Sequence, residues 1–373
     1  MFRSFLHAVS TRRRRSGLSP AGAVAGALIL WAWLGMSCTL SVPSSASGIT
    51  ATPALTATMS ATLPFTQAPT VPVVVAASPL PTKAVRPTGT PVAAKEVLSA
   101  GGARSADGRT IPDFAGLEQY MLELINQDRQ ENGLNPVEWD AFAAKVGREH
   151  AIEMSRYDYL SHWNLAGQGP DIRYALAGGL DVVQENVYSY FQVYENGTPV
   201  PIQDWRAIIQ RAEKELMDSP GHRKNILNPD HSRVGVGIAY NPATGQFRLS
   251  QEFINHYIKF DQPEAAPIKA KSGDSIPIAG TVLKGESRPL INLAYEPFPE
   301  PMTVEVLRNT DVYISPADIL NASLASIDPD GKMAAWLAIP ADGEPGYYHV
   351  RIWLSLGGDQ IPAADILVEV PRP

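Results

Sequence analysis

A long stretch dominated by Thr, Pro, Ala, Ser and Val limits where this chain can fold. It occupies residues 39–110 and includes the run "SVPSSASGITATPALTATMSATLP". The stretch has little charge and no helical period, and repeated proline resists both helix interiors and central strands. We therefore predict an extended, disordered stalk over residues 39–111, which places the folded part of this 373-residue chain after it.

The segment before the stalk has the pattern of an export signal. Arg12–Arg15 precede an uncharged apolar run, residues 21–36, that ends in "GMSC" and is too short for a typical transmembrane helix. The single cysteine, Cys38, lies where a bacterial lipoprotein signal is cut and acylated. We predict an export signal over residues 1–38 with a lipid on Cys38. Plain secretion and an uncleaved anchor are the alternatives.

The charge balance argues against nucleic acid as a partner. Residues before Cys38 hold five of the 31 basic side chains and no acidic one, so 26 basic side chains remain against 38 acidic ones, a net charge of −12. Nucleic-acid binding needs a basic surface instead. With one cysteine in the chain, no intramolecular disulfide can form.

Residues 112–260 have the pattern of an α+β domain. Leu117, Met121, Leu124 and Ile125 recur on one helical face, and Gly133 supplies a C-terminal stop. Further helices are predicted within residues 137–157 and 204–218. Residues 233–254 then read as a hairpin of two strands around a Pro/Gly turn. Helices followed by paired strands indicate an α+β fold.

Residues 265–373 have the pattern of an all-β domain. Strand-like runs are separated by the turn signals "DPDG" and "GEPG", and residues 350–356 alternate apolar and polar positions. The predicted strands include "MTVEVLR" at 302–308. About 100 residues of this kind predict an immunoglobulin-like β-sandwich. We expect no ligand site here, and an adhesive, spacing or stabilising role.

Five of the seven histidines lie in the α+β domain: His150, His162, His222, His231 and His256. His222 follows Ser219 and Pro220 in the run "DSPGHRKNIL", which is typical of a helix start because Ser is a favoured N-cap and Pro suits the first position. In the first turn, the helix dipole disfavours a charged imidazole. A neutral histidine of this kind is suited to act as a ligand or a base.

Several spaced runs, in order, resemble the CAP superfamily (also called SCP-like or Tpx/Ag5/PR-1). They are "LINQDRQENGLNPVEWD", "SHWNLAGQGPDIRYALAGG" with a downstream "EN", and "MDSPGHRKNILNPDHSRVGVGIAY". The resemblance covers residues 114–257 and implies an α-β-α sandwich with a cleft.

By position, the resemblance also implies a cleft formed by His162, Glu185 and His222, in some members able to hold a divalent metal. His162 and His222 would bind an ion such as zinc, with Glu185 as a third ligand or a general base. This chain departs from the pattern at Gln184, where the family has glycine, and at Leu216, where it has tryptophan. A second glutamate has no clear counterpart, since the spacing of Glu213 and Glu215 does not match.

Structural roles remain open for each of these residues. His162 can tie a loop, His222 can simply begin a helix, and Glu185 can pair with Arg173. His150 has the spacing of a core residue, beside Phe142 and Val146. No other catalytic motif is present, and Ser161 is a weak candidate for a nucleophile.

Three functions follow from these observations. The first is an exported cell-surface binding module whose cleft takes a small molecule, a lipid-like ligand or a cell-envelope component, with or without a divalent metal. The second is a metal-assisted hydrolase of peptides that uses His162, His222 and Glu185. The third is a structural or adhesive surface protein. Membrane contact is expected only through the N-terminal anchor, and whether the protein is an enzyme stays open.

Overall fold

The computed structural model describes residues 3–4, 97–100, 112–261, 267–285, 289–310, 312–317 and 319–373. Cys38, the apolar run of the export signal and most of the predicted stalk lie outside these residues. At its end the stalk prediction was wrong, because Leu98–Ser99 form a strand that pairs with Ala239 and Tyr240. Among the described helices, none combines the length and apolarity needed to cross a membrane.

The helices and strands are numbered here in chain order. The helices are α1 (Phe114–Glu131), α2 (Ala141–Tyr157), α3 (Pro170–Leu176), α4 (Trp205–Asp218), α5 (Pro220–Ile226) and α6 (Val304–Leu307). The strands up to the hairpin are β1 (Arg3–Ser4), β2 (Leu98–Ser99), β3 (Glu138–Trp139), β4 (Val182–Tyr190), β5 (Gln192–Val193), β6 (Arg233–Asn241) and β7 (Gln246–Asn255). The later strands are β8 (Ile258–Phe260), β9 (Ile268–Lys269), β10 (Ser275–Val282), β11 (Leu290–Glu296), β12 (Ile319–Leu324), β13 (Ser326–Ile327), β14 (Lys332–Ala338), β15 (Gly346–Leu356) and β16 (Asp359–Val370).

A central sheet with helices on both faces forms the first half of the fold. Its strand order is β2-β6-β7-β4, with β3 beside β6, so β4 lies at an edge. Helix α2 covers one face closely, because Gly235 and Gly237 have no side chain. A Cβ on either glycine would collide with the α2 backbone at Ala144 or Arg148. The result is an α-β-α arrangement.

The opposite face of this sheet packs against α1 and α4. Helix α1 begins at the N-cap Asp113, whose side chain accepts a bond from the Gly116 N–H. The predicted face of α1 is confirmed, since Leu117, Met121 and Ile125 are buried. They share a core with apolar residues of α4, β6 and β7. Burial of this face, more than helix propensity, stabilises the helix.

Two further sheets, mostly from residues after 267, make up the second half. Their strand orders are β13-β14-β10-β8 and β12-β11-β15-β16-β9, and they share one apolar core that includes Ile276, Met333, Ile291 and Val350. Strand β8 pairs with β10, so the second half begins before the predicted boundary at residue 260. The immunoglobulin-like fold and the other domain boundaries stay predictions.

One predicted strand was wrong. The run "MTVEVLR" contains helix α6, whose N-cap Thr303 accepts a bond from the Val306 N–H. Its β-branched valines favour a strand, but Leu307 packs with Met154 and Tyr159 of the first half instead. Tertiary packing therefore overrides the local preference.

The segment after α6 joins the two halves, and the described part of residues 85–373 forms one compact unit. The Ser161 hydroxyl donates to the Thr310 carbonyl, and the Trp163 indole N–H donates to the Val312 carbonyl at 3.0 Å. The Trp163 and Tyr313 rings also meet edge to face. These contacts hold the second half against the loop that carries His162.

Candidate functional site

A cavity of about 520 Å³ lies between the two halves of the fold. All three cleft residues implied by the resemblance, His162, Glu185 and His222, line it. The other lining residues are Pro170, Asp171, Val182, Val183, Gln184, Asn186, Gly221, Asn225, Tyr313, Ser315, Arg351, Trp353, Pro362 and Asp365. The volume lies within the range of about 300–1,000 Å³ that is usual for small-ligand sites.

Glu185, on strand β4, holds the His162 ring in place. His162 Nδ1 lies 2.9 Å from Glu185 Oε1, and Arg173 Nη2 of α3 donates to Glu185 Oε2 at 2.6 Å. Burial opposes ionisation of Glu185, but Arg173 and the bond from His162 outweigh it, so its pKa lies well below the ordinary value. A proton on Nδ1 leaves His162 Nε2 free as an acceptor or ligand atom. Glu185 therefore both pairs with Arg173 and orients His162.

A second buried carboxylate lies behind Glu185. The Ser250 hydroxyl is within hydrogen-bond distance of Glu185 Oε2 and of Glu252 Oε1, at 3.2 and 2.8 Å. Burial and the negative charge of Glu185 raise the pKa of Glu252 well above its ordinary value. One of the two glutamates is thus charged and the other neutral. The sequence analysis missed Glu252, because the hairpin pattern gave no sign that a charged residue would be buried there.

His222 lies in the first turn of α5, and the predicted helix start is confirmed with Ser219 as N-cap and Pro220 first. The serine side chain makes no capping bond. Within the described residues, no side chain or backbone group bonds to the His222 ring. Burial, and the proximity of His162, lower its pKa to about 4, so the imidazole is neutral near pH 7.

The two imidazoles lie on either side of strand β4. Neighbouring residues of a strand point to opposite faces of a sheet. Glu185 contacts His162 on the face that α2 covers, whereas Asn186 Nδ2 donates to the His222 carbonyl on the other face, at 3.3 Å. His162 and His222 therefore flank the free edge of β4.

The remaining candidates are placed as follows. His150 is a core residue, as predicted: it is 2% exposed, and its Nε2 lies 2.8 Å from the Ser161 carbonyl oxygen. Ser161 is buried, and its hydroxyl donates to the Thr310 carbonyl and not to His162. It therefore lacks the bond to a base that would activate it as a nucleophile. Glu213 bonds to Gln251 and Glu215 to Tyr188. Neither glutamate lines the cavity.

The second half of the fold also contributes to this cavity, contrary to the expectation that it has no ligand site. Arg351 and Trp353 of β15 and Asp365 of β16 line a second wall of the cavity. The alternation in β15 correctly placed Val350, Ile352 and Leu354 in the core. Polar and aromatic residues on its other face were a signal that this face is covered, but the sequence does not show by what.

The charged groups of this second wall are bonded to one another. His349 lies 3.1 Å from carboxylate oxygens of both Asp365 and Glu296, and Arg351 Nε donates to Asp365 at 3.2 Å. Burial opposes a charge on His349, but Asp365 and Glu296 outweigh it and raise its pKa to about 10. The imidazole is thus a cation that links two carboxylates.

Ligand atoms of Asp171, His349 and Asp365 lie within 4.8 Å of one another, as in a metal site. Both His349 nitrogens already have carboxylate partners, and Asp171 accepts bonds from Tyr313 and Ser315. A fixed guanidinium, Arg351, also contacts Asp365. We therefore interpret this group as an ion-pair network and not as a metal site.

The His162 and His222 rings both line the cavity and offer nitrogens to a ligand or an ion. His162 Nε2 and the His222 ring have no bonding partner in the described part of the chain, and imidazole nitrogens are good zinc ligands. Both oxygens of Glu185 are engaged, so this carboxylate orients His162 as carboxylates do for metal-bound histidines.

Comparison with known proteins identifies the first half of the fold. Residues 122–253 match the CAP family, described as the cysteine-rich secretory protein family. This part of the chain is a CAP domain, and the resemblance noted in the sequence is confirmed for it. The match includes His162, Glu185 and His222 but ends before the second half of the fold, which supplies the opposite wall of the cavity.

Two curated relatives from Bacillus subtilis (strain 168) align over the same region. The uncharacterized protein YkwD is 31% identical over 120 residues, 32% of this chain and 41% of that protein. The uncharacterized membrane protein YlbC is 29% identical over 121 residues, 32% of this chain and 31% of that protein. The chain thus spans less than half of either relative.

Among solved structures, an extracellular protein containing a SCP domain from Bacillus anthracis str. Ames is similar. It is 25% identical, and the match covers 40% of this chain and 45% of that one with a TM-score of 0.31.

Proposed function

We propose that the protein is an exported binding module whose CAP domain holds a polar ligand in the cavity, with a divalent metal such as zinc at His162 and His222. One observation carries the proposal. Two imidazoles from distant parts of the chain line one cavity, and within the described residues each ring keeps a nitrogen without a protein partner. Ring nitrogens left open in a cavity wall are suited to a ligand or an ion.

The cavity lining is mixed, and its open polar groups on the CAP side support a polar ligand over the lipid-like one among the first expectations. Eleven of the 17 lining residues are polar or charged, counting Tyr313. An acyl chain would separate the open nitrogens of His162 and His222 from water without replacing their hydrogen bonds, which is unfavourable. The signal pattern before Cys38 supports export, and the relative YlbC is named a membrane protein. A surface location and an anchor at Cys38 are parts of this proposal.

A metal-assisted hydrolase is the second candidate. Its support is the pairing of His162 with Glu185, since a carboxylate that holds Nδ1 prepares the ring as a general base. Ser315, a hydroxyl residue of the cavity, bonds to Asp171 and Arg351, which leaves water as the nucleophile. A purely structural protein is the third reading, and it leaves the open imidazoles without a role.

The metal content of the purified protein tests the proposal. We expect about one zinc ion per chain after loading and removal of excess metal, and loss of this zinc in His162→Ala and His222→Ala. The matched control is His256→Ala, because His256 bonds to Asp181 outside the cavity and should not affect zinc. A wild-type protein that retains no zinc, or variants that all retain it, would refute metal binding.

A further inference from the structure

The free edge of β4 forms part of the cavity wall. Strand β4 pairs with β7 on one side, and within the described residues no strand pairs with its other side. Five consecutive residues, 182–186, line the cavity. Consecutive residues of a strand line one space only when the strand presents its edge to it, because their side chains alternate between faces.

The hydrogen bonds of the sheet determine which backbone groups of β4 lie at that edge. In β6, the Val234 carbonyl accepts a bond from Asp140 N–H, and the Ile238 N–H donates to Glu118. The backbone N–H and C=O groups of the even-numbered residues of β6 therefore point away from β7. Bonding directions alternate along a strand, and the registers from β6 to β7 and from β7 to β4 continue without a shift.

It follows that the N–H and C=O groups of Val183, Glu185 and Val187 point away from β7, towards the edge. Within the described part of the chain, none of these backbone groups has a hydrogen-bond partner. Val183 and Glu185 are each only 8% exposed, so their backbone groups lie inside the cavity wall and not on an open surface. Backbone groups in such a position need a partner.

From this geometry we propose that the cavity binds a short extended polypeptide segment, which pairs with the free edge of β4 as an added strand. Alternate backbone groups at strand spacing match another polypeptide backbone. The lining residues 182–186 span about 13 Å at about 3.3 Å per residue, which suits a segment of about five residues.

The surroundings of the edge fit such a segment. Its side chains would alternate between the face of His162 and the face of His222. The second wall closes the cavity at the start of β4, where Asp365 N–H donates to the Leu180 carbonyl at 3.0 Å. The charged groups of that wall already have partners: Arg351 bonds to Asp365 and Ser315, and Asp171 accepts a bond from Ser315. Arg351 is therefore not an open cation for a phosphate or another anion.

The inference rests on the proposed function in one respect, since both place a ligand in this cavity. It is tested with random linear heptapeptides displayed on phage, selected against the purified protein, followed by titration calorimetry with the best peptide made synthetically. N-methylation removes one backbone donor at a time. We expect about a tenfold loss of affinity at alternate peptide positions and little change at the positions between them.

A pair of protein variants tests the same contact from the other side. Val183→Pro removes a backbone N–H that points to the edge, while Val183→Ala shortens the same side chain and keeps the N–H. Proline is tolerated on edge strands in this orientation. We expect Val183→Pro to bind the peptide about tenfold more weakly than Val183→Ala does. If Val183→Pro fails to fold, the N-methylated peptides decide.

The outcomes separate this inference from metal binding. No enriched peptide, equal losses at successive N-methylated positions, or equal binding by the two folded Val183 variants would overturn it. Peptide binding by a protein that takes up no zinc would leave the inference standing and remove the metal from the proposed function. Zinc uptake without peptide binding would overturn the inference and leave the metal in the proposed function.

Discussion

The two walls of the cavity use their polar groups in opposite ways. On the CAP side, the His162 and His222 rings and the edge of β4 keep bonding positions that no described residue fills. On the other side, Arg351, Asp365 and His349 are already bonded to neighbouring groups. The first wall is therefore suited to bind a ligand, and the second to give the cavity its shape.

The support behind each wall differs in the same way. Glu185 is a charged carboxylate that connects His162 to Arg173, whereas His349 is a buried cation that connects Asp365 to Glu296. A buried charge is tolerated only with such partners, and removing one partner leaves the other uncompensated. The comparison predicts that each wall can be weakened separately.

The largest effect is expected from neutralising Glu185. Glu185→Gln leaves the buried Arg173 without its anion, so we expect a loss of about 3 kcal/mol in the free energy of unfolding at pH 7, measured by urea denaturation. Glu252→Gln is the matched control: this neighbouring buried glutamate is already neutral, and its change should cost less than about 1 kcal/mol. Similar losses in the two variants would contradict the assignment of charge.

A smaller effect is expected from pH at the second wall. The pKa of His349 is about 10 in the folded protein, above the ordinary value of 6.5, so folding takes up a proton between these values. The protonated His349 stabilises the folded state fully below about pH 6.5, and this stabilisation is lost as the pH rises towards 10. Between pH 7 and 9 the free energy of unfolding should therefore fall by about 2 kcal/mol through this group.

The variant His349→Gln isolates that contribution. Burial also raises the pKa of Glu213, to about 8, so other groups add to the total pH dependence. The decisive quantity is the difference in slope between wild type and variant, measured by urea denaturation at several pH values. Between pH 7 and 9, the free energy of unfolding of His349→Gln should fall by about 2 kcal/mol less than that of the wild type. Equal slopes would show that His349 is not the protonated group between Asp365 and Glu296.

The smallest effect is expected at the contact between the walls. Tyr313→Phe removes the hydroxyl that donates to Asp171 but keeps the ring against Trp163, so we expect a loss of about 1–2 kcal/mol by thermal denaturation. The control is Tyr120→Phe, because within the described residues the Tyr120 hydroxyl bonds to the exposed side chain of Gln210 and should matter by less than about 0.5 kcal/mol. A Tyr313 variant as stable as the control would show that this contact does not hold the walls together.

Local patterns predicted much of the CAP domain. The periodic apolar residues of α1 reflect which side of this helix is buried, and that is a local property. The Pro/Gly turn predicted the hairpin of β6 and β7. The motif around Ser219 and Pro220 likewise predicted the start of α5. By contrast, "MTVEVLR" became a helix because Leu307 finds its partners in another part of the chain.

The candidate site shows the same division. The sequence by itself determined that His162, Glu185 and His222 belong together, through spaced runs that resemble a known family, and that β15 has one apolar face. Only the tertiary structure decided that the other face of β15 closes the cavity, that Glu252 lies behind Glu185, and that β4 has a free edge there. The reason is physical: periodicity records that a face is buried, but the group that buries it comes from more than a hundred residues away, and its position depends on packing of the whole chain.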